Sequence, residues 1–248
     1  QDNFGDYLVM NPRGGALYMW VPAASPSTYY RAQILSSTNA NTQDGVAYWQ
    51  TDSSCPTVAN IVATSDTSRF VIAFGANDAV AGSLIQNPMF IAWSDQENIT
   101  TWLPAATNQA GSYRIPKGSR IVQCIQGPQQ GLVWTDLGLW AMQYVGPSYV
   151  YSINELATGC GLIGRKAAGS MNGVVYWMGQ SQFYVLSGSG PTPLKCPVWD
   201  VVFQELDTAN LDKIRFAANS RFGEISWYFP TTSSGGEISN YVKYNIYL

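Results

Sequence analysis

The sequence contains no histidine. Imidazole is the general base of Ser-His-Asp and Cys-His catalysis, and it supplies two ligands of an HExxH zinc site. It is also the side chain that most readily changes charge near neutral pH. The composition therefore excludes these three kinds of chemistry.

Charged side chains are scarce, since they make up 12% of the residues, whereas about 25% is usual. The formal net charge is −3 and the isoelectric point is near 4.8. Such a chain has no basic footprint, so we do not expect it to bind nucleic acid by neutralising phosphates. The hydrophobic fraction of 46% and the aromatic fraction of 13% allow a large core and argue against disorder.

Metal-binding cysteine pairs and long apolar runs are also missing. The four cysteines, Cys55, Cys124, Cys160 and Cys196, lie far apart and form no CxxC motif. We expect no metal site and four buried reduced thiols, with one or two disulfides as the alternative. No stretch approaches the roughly 18 uninterrupted apolar residues of a membrane-spanning helix, so no span is predicted.

A strand-turn-strand unit that recurs along the chain is its strongest pattern. In the two clearest copies a tryptophan, Trp134 or Trp177, ends an apolar run, and an aromatic residue starts the return strand after a short turn. Phe74 and Trp227 mark two looser copies. The four anchors lie 60, 43 and 50 residues apart. A repeat of roughly 40 to 50 residues made only of strands is typical of propeller blades, whereas a period of about 20 to 30 residues would suggest a solenoid. We predict an all-β fold, a β-propeller of four-stranded antiparallel blades that this chain need not complete.

The composition and patterning of the sequence divide it into two parts. Residues 1–56 hold an N-terminal hairpin and a polar loop insertion, and residues 57–248 hold about four groups of strands, which we interpret as blades. The chain begins without Met and stops on a strand-like run, so we expect it to be part of a longer polypeptide.

One segment, 197–206, has the pattern of a helix. Pro197 stands at an N1-like position, where a missing N–H group does no harm. The apolar residues that follow recur at helical spacing and are Val198, Val201, Val202 and Leu206.

The polar segment 22–56 is too long for a simple connection, which predicts a projecting loop or a small insertion. It contains isolated aromatic and basic residues at Tyr29, Tyr30, Arg31 and Trp49. Interfaces favour Tyr, Trp and Arg, so we predict that these four residues contact a partner. A flexible loop without a binding role is the equal alternative.

Carboxylates near turns raise the question of catalysis, because some propellers hydrolyse glycosides with two carboxyl groups. Asp also occurs in turns merely to accept local backbone hydrogen bonds. No pair recurs from one strand group to the next, so no catalytic residues and no cofactor are predicted. The carboxylates considered are Asp66, Asp78, Asp95, Glu97, Asp136, Glu155 and Asp200.

The segment 158–166 contains three glycines and ends in Arg165 and Lys166, which suggests a phosphate-binding loop. Its spacing does not fit GxxxxGK[ST], because no Ser or Thr follows Lys166. A tight crossover between two blades is the favoured interpretation.

Five short strings in the same order resemble structural proteins of short-tailed phages. They cover about three fifths of the chain, roughly residues 93–245. The strings are WSDQEN at 93–98, WLPAATNQAG at 102–111, GLVWTD at 131–136 with WAMQYVGP at 140–147, CGLIG at 160–164 and VYWMG at 175–179. Together they resemble the tail hub proteins, also called packaged-DNA stabilisation proteins, which are related in role to podovirus tail nozzles.

The resemblance implies a non-enzymatic virion protein of the phage tail, built on a β-propeller and assembled as a six-fold ring below the portal and its adaptor. Such a ring closes the DNA channel after packaging and docks a tail needle and tailspikes or fibres. Genomic DNA passes it without sequence-specific binding. The family has no catalytic residues to carry over.

Two other functions compete with this interpretation. A carbohydrate-binding or glycan-cleaving propeller, such as a receptor-binding protein, would require a working carboxylate such as Asp136. A cellular propeller adaptor would bind peptides instead. The absence of a recurrent carboxylate pair disfavours the glycan-cleaving alternative.

Overall fold

The computed structural model describes residues 1–22, 31–38, 50–65, 68–126, 130–188 and 190–247. Across these ranges the chain folds into five antiparallel β-sheets, one short α-helix and one 3-10 helix. The all-β class predicted from the sequence is confirmed. In the same ranges, no helix combines the length and the apolar character needed to cross a membrane.

Each sheet is a meander in which every strand pairs with the next strand along the chain. Four sheets have four strands and the fifth has three, so the expectation of four-stranded antiparallel sheets holds for four of the five. The strands are β1 (Asp2–Phe4), β2 (Tyr7–Met10), β3 (Tyr18–Trp20) and β4 (Gln33–Ile34) in the first sheet; β5 (Ile61–Thr64), β6 (Val71–Phe74), β7 (Phe90–Trp93) and β8 (Gly111–Arg114) in the second; β9 (Ile121–Gln126), β10 (Gly131–Thr135), β11 (Gly138–Gly146) and β12 (Val150–Thr158) in the third; β13 (Ala168–Met171), β14 (Val174–Met178), β15 (Phe183–Ser187) and β16 (Gly190–Pro193) in the fourth; and β17 (Arg215–Asn219), β18 (Glu224–Pro230) and β19 (Ile238–Asn245) in the fifth.

The chain forms two compact units. The first comprises Gln1–Gly131 and Met142–Ser152, and the second comprises Leu132–Ala141 and Ile153–Leu248. The first two sheets lie wholly within the first unit, and the last two sheets lie wholly within the second.

Local sequence explains why the strands turn where they do. Asn172 and Gly173 join β13 to β14, and their φ angles are 54° and 79°. Asn-Gly is the preferred pair for a two-residue hairpin turn. Both central residues need positive φ angles, which most other residues adopt only at a cost in free energy. The turn fixes the register that places Met171 opposite Val174.

The second sheet shows how burial changes from its first strand to its last. Strands β5, β6 and β7 are buried along their whole length, whereas β8 is exposed at three of its four residues. The three inner strands read IVAT, VIAF and FIAW, and continuous apolar runs are typical of strands covered on both faces. The fourth strand, GSYR, carries polar residues at its exposed positions, although β5 at the other edge of the sheet is fully buried.

Within the first unit, successive sheets touch through their first strands, since β1 contacts β5 and β5 contacts β9. Thr64, at the end of β5, makes this contact polar as well as apolar. Its N–H donates to Asp2 Oδ2 at 2.8 Å and its hydroxyl donates to the Asn3 carbonyl at 2.7 Å. Both bonds are partly buried, so they fix the position of β5 against β1.

The second unit repeats this arrangement, because β13 contacts β17. The Phe216 N–H of β17 donates to the Lys166 carbonyl at 2.8 Å, just before β13 begins. Gly169 of β13 lies against the Phe216 ring so closely that a Cβ would overlap it. Glycine is therefore required at the point where the two first strands meet.

The four aromatic residues of the sequence repeat occupy equivalent places. Phe74, Trp134, Trp177 and Trp227 each lie in the second strand of their sheet, and each is fully buried. Two of them also bond to the connection between β12 and β13. Trp177 Nε1 donates to the Cys160 carbonyl at 2.8 Å. Trp227 Nε1 donates to a carbonyl further along the same connection, at 2.9 Å.

The predicted helix forms as α1 (Trp199–Glu205) and is followed by a 3-10 helix at Thr208–Lys213. Pro197 does not occupy its first turn, because Val198 is the N-cap residue. The predicted apolar stripe is half buried. Val202 and Leu206 face the interior, while Val198 and Val201 each remain 49% exposed, because the helix is too short to be covered along two turns.

We predict that Trp177→Phe lowers the free energy of unfolding by about 1–3 kcal/mol more than Trp134→Phe does. Both substitutions replace a buried indole by a smaller ring. Trp177→Phe also leaves the Cys160 carbonyl without its donor. The Trp134 indole N–H has no partner among the described residues, so its loss breaks no hydrogen bond. Urea denaturation of the two variants measures the difference, and equal losses would contradict the assigned role of the Trp177 bond.

Candidate functional surfaces

The structure describes one of the four residues that the sequence predicts to contact a partner. Arg31 is exposed and lies two residues before β4. Tyr29, Tyr30 and Trp49 lie outside the described residues. The contact role of all four residues stays a prediction.

The glycine-rich segment 158–166 connects the last strand of the third sheet to the first strand of the fourth, as the crossover interpretation predicted. The backbone N–H groups of Gly159, Leu162 and Ile163 donate to carbonyls of the second unit at 2.8, 3.1 and 3.1 Å. A phosphate loop needs N–H groups that are free to point at an anion. These three groups are already bonded within the protein, so the segment serves packing.

Two glycines of this crossover are required by close backbone approach. A Cβ on Gly161 would overlap the carbonyl oxygen of Asp136, and a Cβ on Gly164 would overlap that of Leu211. Neither glycine has a positive φ angle, so space and not backbone conformation selects it. Two of the three glycines that resemble a phosphate motif therefore have a structural cause.

Two carboxylates of the sequence set accept backbone hydrogen bonds at turns. Asp78 Oδ1 accepts from the backbone N–H three residues further on, at 3.1 Å. Asp95 Oδ1 accepts from the Gln96 and Gln109 N–H groups, both at 2.8 Å. The turn interpretation is confirmed for these two residues, while Asp66 lies outside the described ranges. Within the described ranges no three Cys, Asp or Glu side chains group to hold a metal ion.

A polar cleft of about 620 Å³ opens beside Asp95 in the first unit. Glu97 on its rim is held by Arg69, whose carbonyl accepts from the Glu97 N–H at 2.8 Å and whose Nε lies 3.6 Å from Glu97 Oε1. Both residues have positive φ angles, 54° and 56°, which residues other than glycine rarely adopt. The walls of the cleft include Asp95, Gln96, Glu97, Asn108, Gln109 and Pro147.

Aromatic rings pack against one another close to this cleft. Tyr151 packs edge-on against Phe70 and Trp93, at centroid distances of 5.3 and 5.2 Å. The Tyr144 hydroxyl donates to Gln109 Oε1 at 2.8 Å. Burial raises the pKa of Tyr151, while the nearby Ser68 and Ser65 hydroxyls act in the opposite direction. These rings therefore pack as core and present no open face for stacking a ligand.

An exposed apolar loop between β6 and β7 was not singled out from the sequence. Leu84 is 78% exposed and Ile85 is 81% exposed. Asp78 is the one charged residue between β6 and β7. The sequence did contain a signal, since a connection this long is unusual for a hairpin and is often functional.

Hydrogen bonds hold the loop in one shape. The buried Asn77 side chain accepts from the Thr57 and Val58 N–H groups at 2.9 and 3.1 Å, and its Nδ2 donates to the Ser83 carbonyl at 2.7 Å. A fixed loop that presents two adjacent aliphatic side chains to solvent is typical of a contact surface.

The four cysteines are free thiols, as predicted, but the expectation that all four are buried is wrong for two of them. Cys55 and Cys160 are buried, whereas Cys124 and Cys196 are partly exposed. Burial raises the pKa of the Cys55 thiol from 9.0 to about 12 and that of Cys124 also to about 12. Thiols with so high a pKa are poor nucleophiles at neutral pH.

The chain matches no model of a known protein family, and no curated protein sequence is similar enough to count as a relative. The resemblance to phage tail hub proteins therefore rests on the ordered strings alone.

We predict that Gly161→Ala destabilises the fold by about 1–3 kcal/mol, because the new methyl group collides with the Asp136 backbone. Gly188→Ala is the matched control, since nothing lies within 4 Å of a Cβ there and its φ angle is not positive. Thermal unfolding of the two variants measures the contrast. If both variants unfold like the native protein, the crossover is looser than the structure shows.

We also predict that Cys55 resists a disulfide reagent at pH 8 in the folded protein, because its thiol is both buried and protonated. Cys196 should react first, and all four thiols should react in guanidinium chloride. Mass spectrometry of tryptic peptides assigns the labelled positions. Since the unfolded thiol ionises near pH 9, Cys55 stabilises the fold fully below pH 9 and loses this contribution as the pH rises towards 12. Rapid labelling of Cys55 at pH 8 would show that the Cys55 environment opens.

Proposed function

We propose that this chain is a structural virion protein of a phage tail hub or nozzle, built on a β-propeller. Six copies form a ring below the portal and its adaptor, close the DNA channel, and dock a needle and spikes or fibres. The protein is not an enzyme and needs no cofactor.

The observation that carries this proposal is the way consecutive meanders meet. In each unit the first strands of neighbouring sheets touch, and the second sheet becomes more polar and exposed towards its fourth strand. Blades arranged around an axis require this order, because their first strands lie closest together and their last strands face outwards. The ordered strings shared with tail hub proteins give this architecture a role.

The surface chemistry supports a protein that fits against neighbours and lets DNA pass. A net charge of −3 without a basic stripe gives DNA little to adhere to. The Leu84 and Ile85 loop offers apolar contact area that is already ordered before binding. The low fraction of charged residues is typical of an assembly component that covers much of its surface.

The uses of the acidic residues support a role without catalysis. One carboxylate oxygen of Asp95 accepts hydrogen bonds from two backbone N–H groups. Asp52 accepts from the Trp102 and Leu103 N–H groups at 2.7 and 2.8 Å. A catalytic carboxyl group needs an oxygen that is aimed at substrate. These oxygens are aimed at the protein's own turns.

Glycan binding is the second candidate, and the polar cleft beside Asp95 favours it. Amide and carboxylate groups that line a concave surface can bind sugar hydroxyls. Binding on a glycan array that is lost in Asp95→Ala and kept in Asp136→Ala would favour this function over the tail hub.

Labelling and counting in purified particles test the proposed function. We expect an antibody against this chain to mark the tail in electron micrographs, and quantitative mass spectrometry to find six copies, or a multiple of six, per particle. A matched antibody against the capsid protein controls for access. Labelling away from the tail, or a copy number not divisible by six, would contradict the proposal.

A further inference from the structure

A surface groove of about 550 Å³ lies in the second unit, where the turn before β15, the end of β16 and the start of α1 meet. Leu194 and Cys196 in its wall are half-buried, whereas Pro193, Pro197 and Trp199 are exposed. The volume is within the range of ordinary ligand sites. A half-buried apolar wall beside exposed rings suits an extended ligand that lies along the surface.

Trp199 is 51% exposed although the helix that it begins is packed against the protein. Val202 of the same helix is buried, and the Phe203 ring lies 5.5 Å from the Phe183 ring, measured between centroids. The Trp199 N–H also donates to the Cys196 carbonyl at 3.2 Å. The indole is therefore a large aromatic surface on a fixed backbone, which is the kind of side chain that contributes most to binding.

A polar group of the groove is also held in place. Gln182 Nε2 donates to the Tyr184 hydroxyl at 3.0 Å, and this hydroxyl donates to the Gly159 carbonyl at 2.8 Å. The Tyr184 ring stacks on Trp177 at a centroid distance of 5.4 Å. A side-chain amide has two N–H donors, so the second N–H of Gln182 can bond to a ligand without a large loss of side-chain entropy.

The charge of the groove is positive. Lys195 is the one charged residue among the described residues that line it. A complementary ligand therefore carries a carboxylate, which pairs with the ammonium group and selects against basic ligands.

We propose that the groove binds a proline-rich, acidic segment of another protein in the polyproline II conformation. Proline rings of this segment pack on Trp199, Pro193 and Pro197, since aromatic-lined grooves are the usual sites for such chains. A polyproline II chain has no internal hydrogen bonds. Its carbonyl groups therefore accept from the Gln182 amide, and its acidic side chain pairs with Lys195.

An acidic sugar is the other ligand class that combines with an aromatic ring and a lysine. Its hydroxyl groups would each need a polar partner on leaving water. Only Ser181, Gln182 and Lys195 of the eight lining residues are polar, while the other five are apolar. Proline rings need such apolar area, and the preformed polyproline II conformation lowers the entropy lost on binding.

This inference goes beyond the proposed function and does not rest on it. Peptide binding is measured on the isolated chain, whereas the tail role is measured in particles. A chain found outside the tail would leave the groove assignment intact, and a chain that binds no peptide would leave the tail role intact.

Two synthetic peptides, one of three Pro-Pro-Glu repeats and one of three Pro-Pro-Lys repeats, test the proposal by isothermal titration calorimetry. We expect the native chain to bind the acidic peptide about tenfold more tightly than the basic one. Trp199→Ala should weaken binding of the acidic peptide about tenfold. Phe222→Ala is the matched control, because Phe222 is 57% exposed in the same unit and does not line the groove.

Lys195→Glu should reverse the preference, so that the basic peptide binds more tightly. Loss of folding cannot produce such a reversal. Lys166→Glu makes the same change of charge at an exposed residue of the same unit outside the groove, and should keep the native preference.

Four results would overturn the proposal. They are no binding of either peptide at about 1 mM, equal binding of an acidic peptide in which Gly and Ser replace the prolines, an unchanged preference in Lys195→Glu, and equal weakening by Phe222→Ala and Trp199→Ala. Glucuronic acid is titrated in parallel. If it binds while the acidic peptide does not, the groove takes acidic sugars and the peptide assignment is wrong.

Discussion

The two indole hydrogen bonds from Trp177 and Trp227 to the connection between β12 and β13 are the contacts on which the second unit depends. Each indole is fully buried and each spans from the second strand of a sheet to the same backbone segment. A buried carbonyl must find a donor or lose free energy. The Trp177 indole is the donor to the Cys160 carbonyl, and the Ala167 carbonyl accepts from the Trp227 indole as well as from the Met178 N–H of β14 at 3.0 Å. This explains why tryptophan, and not phenylalanine, ends these apolar runs.

The same constraint explains the glycines of that connection. Once the indoles draw the backbone inwards, Gly161 and Gly164 come against carbonyl oxygens of other segments, where a methyl group has no room. The bonds and the glycines are therefore parts of one arrangement. The N–H groups of Gly159, Leu162 and Ile163 are bonded to carbonyls within the second unit, which disfavours the phosphate-binding alternative.

Features that depend on a few neighbouring residues could be predicted from the sequence. The Asn172-Gly173 hairpin, the buried strand β6 and the helix α1 all follow from local patterns. Features that depend on distant packing could not. The exposure of Val201 depends on what covers the helix, and the exposed Leu84 depends on the bonds of Asn77 to a segment about twenty residues earlier.

The surfaces that remain available differ in kind, and this difference decides what each can recognise. A loop such as that of Leu84 and Ile85 presents side chains, so its partner must offer a pocket of matching shape. An edge strand such as β8 presents backbone N–H and C=O groups instead, and such an edge pairs with an extended strand. A chain with few charges can in this way be specific through shape and backbone pairing, where a more highly charged protein would use ion pairs.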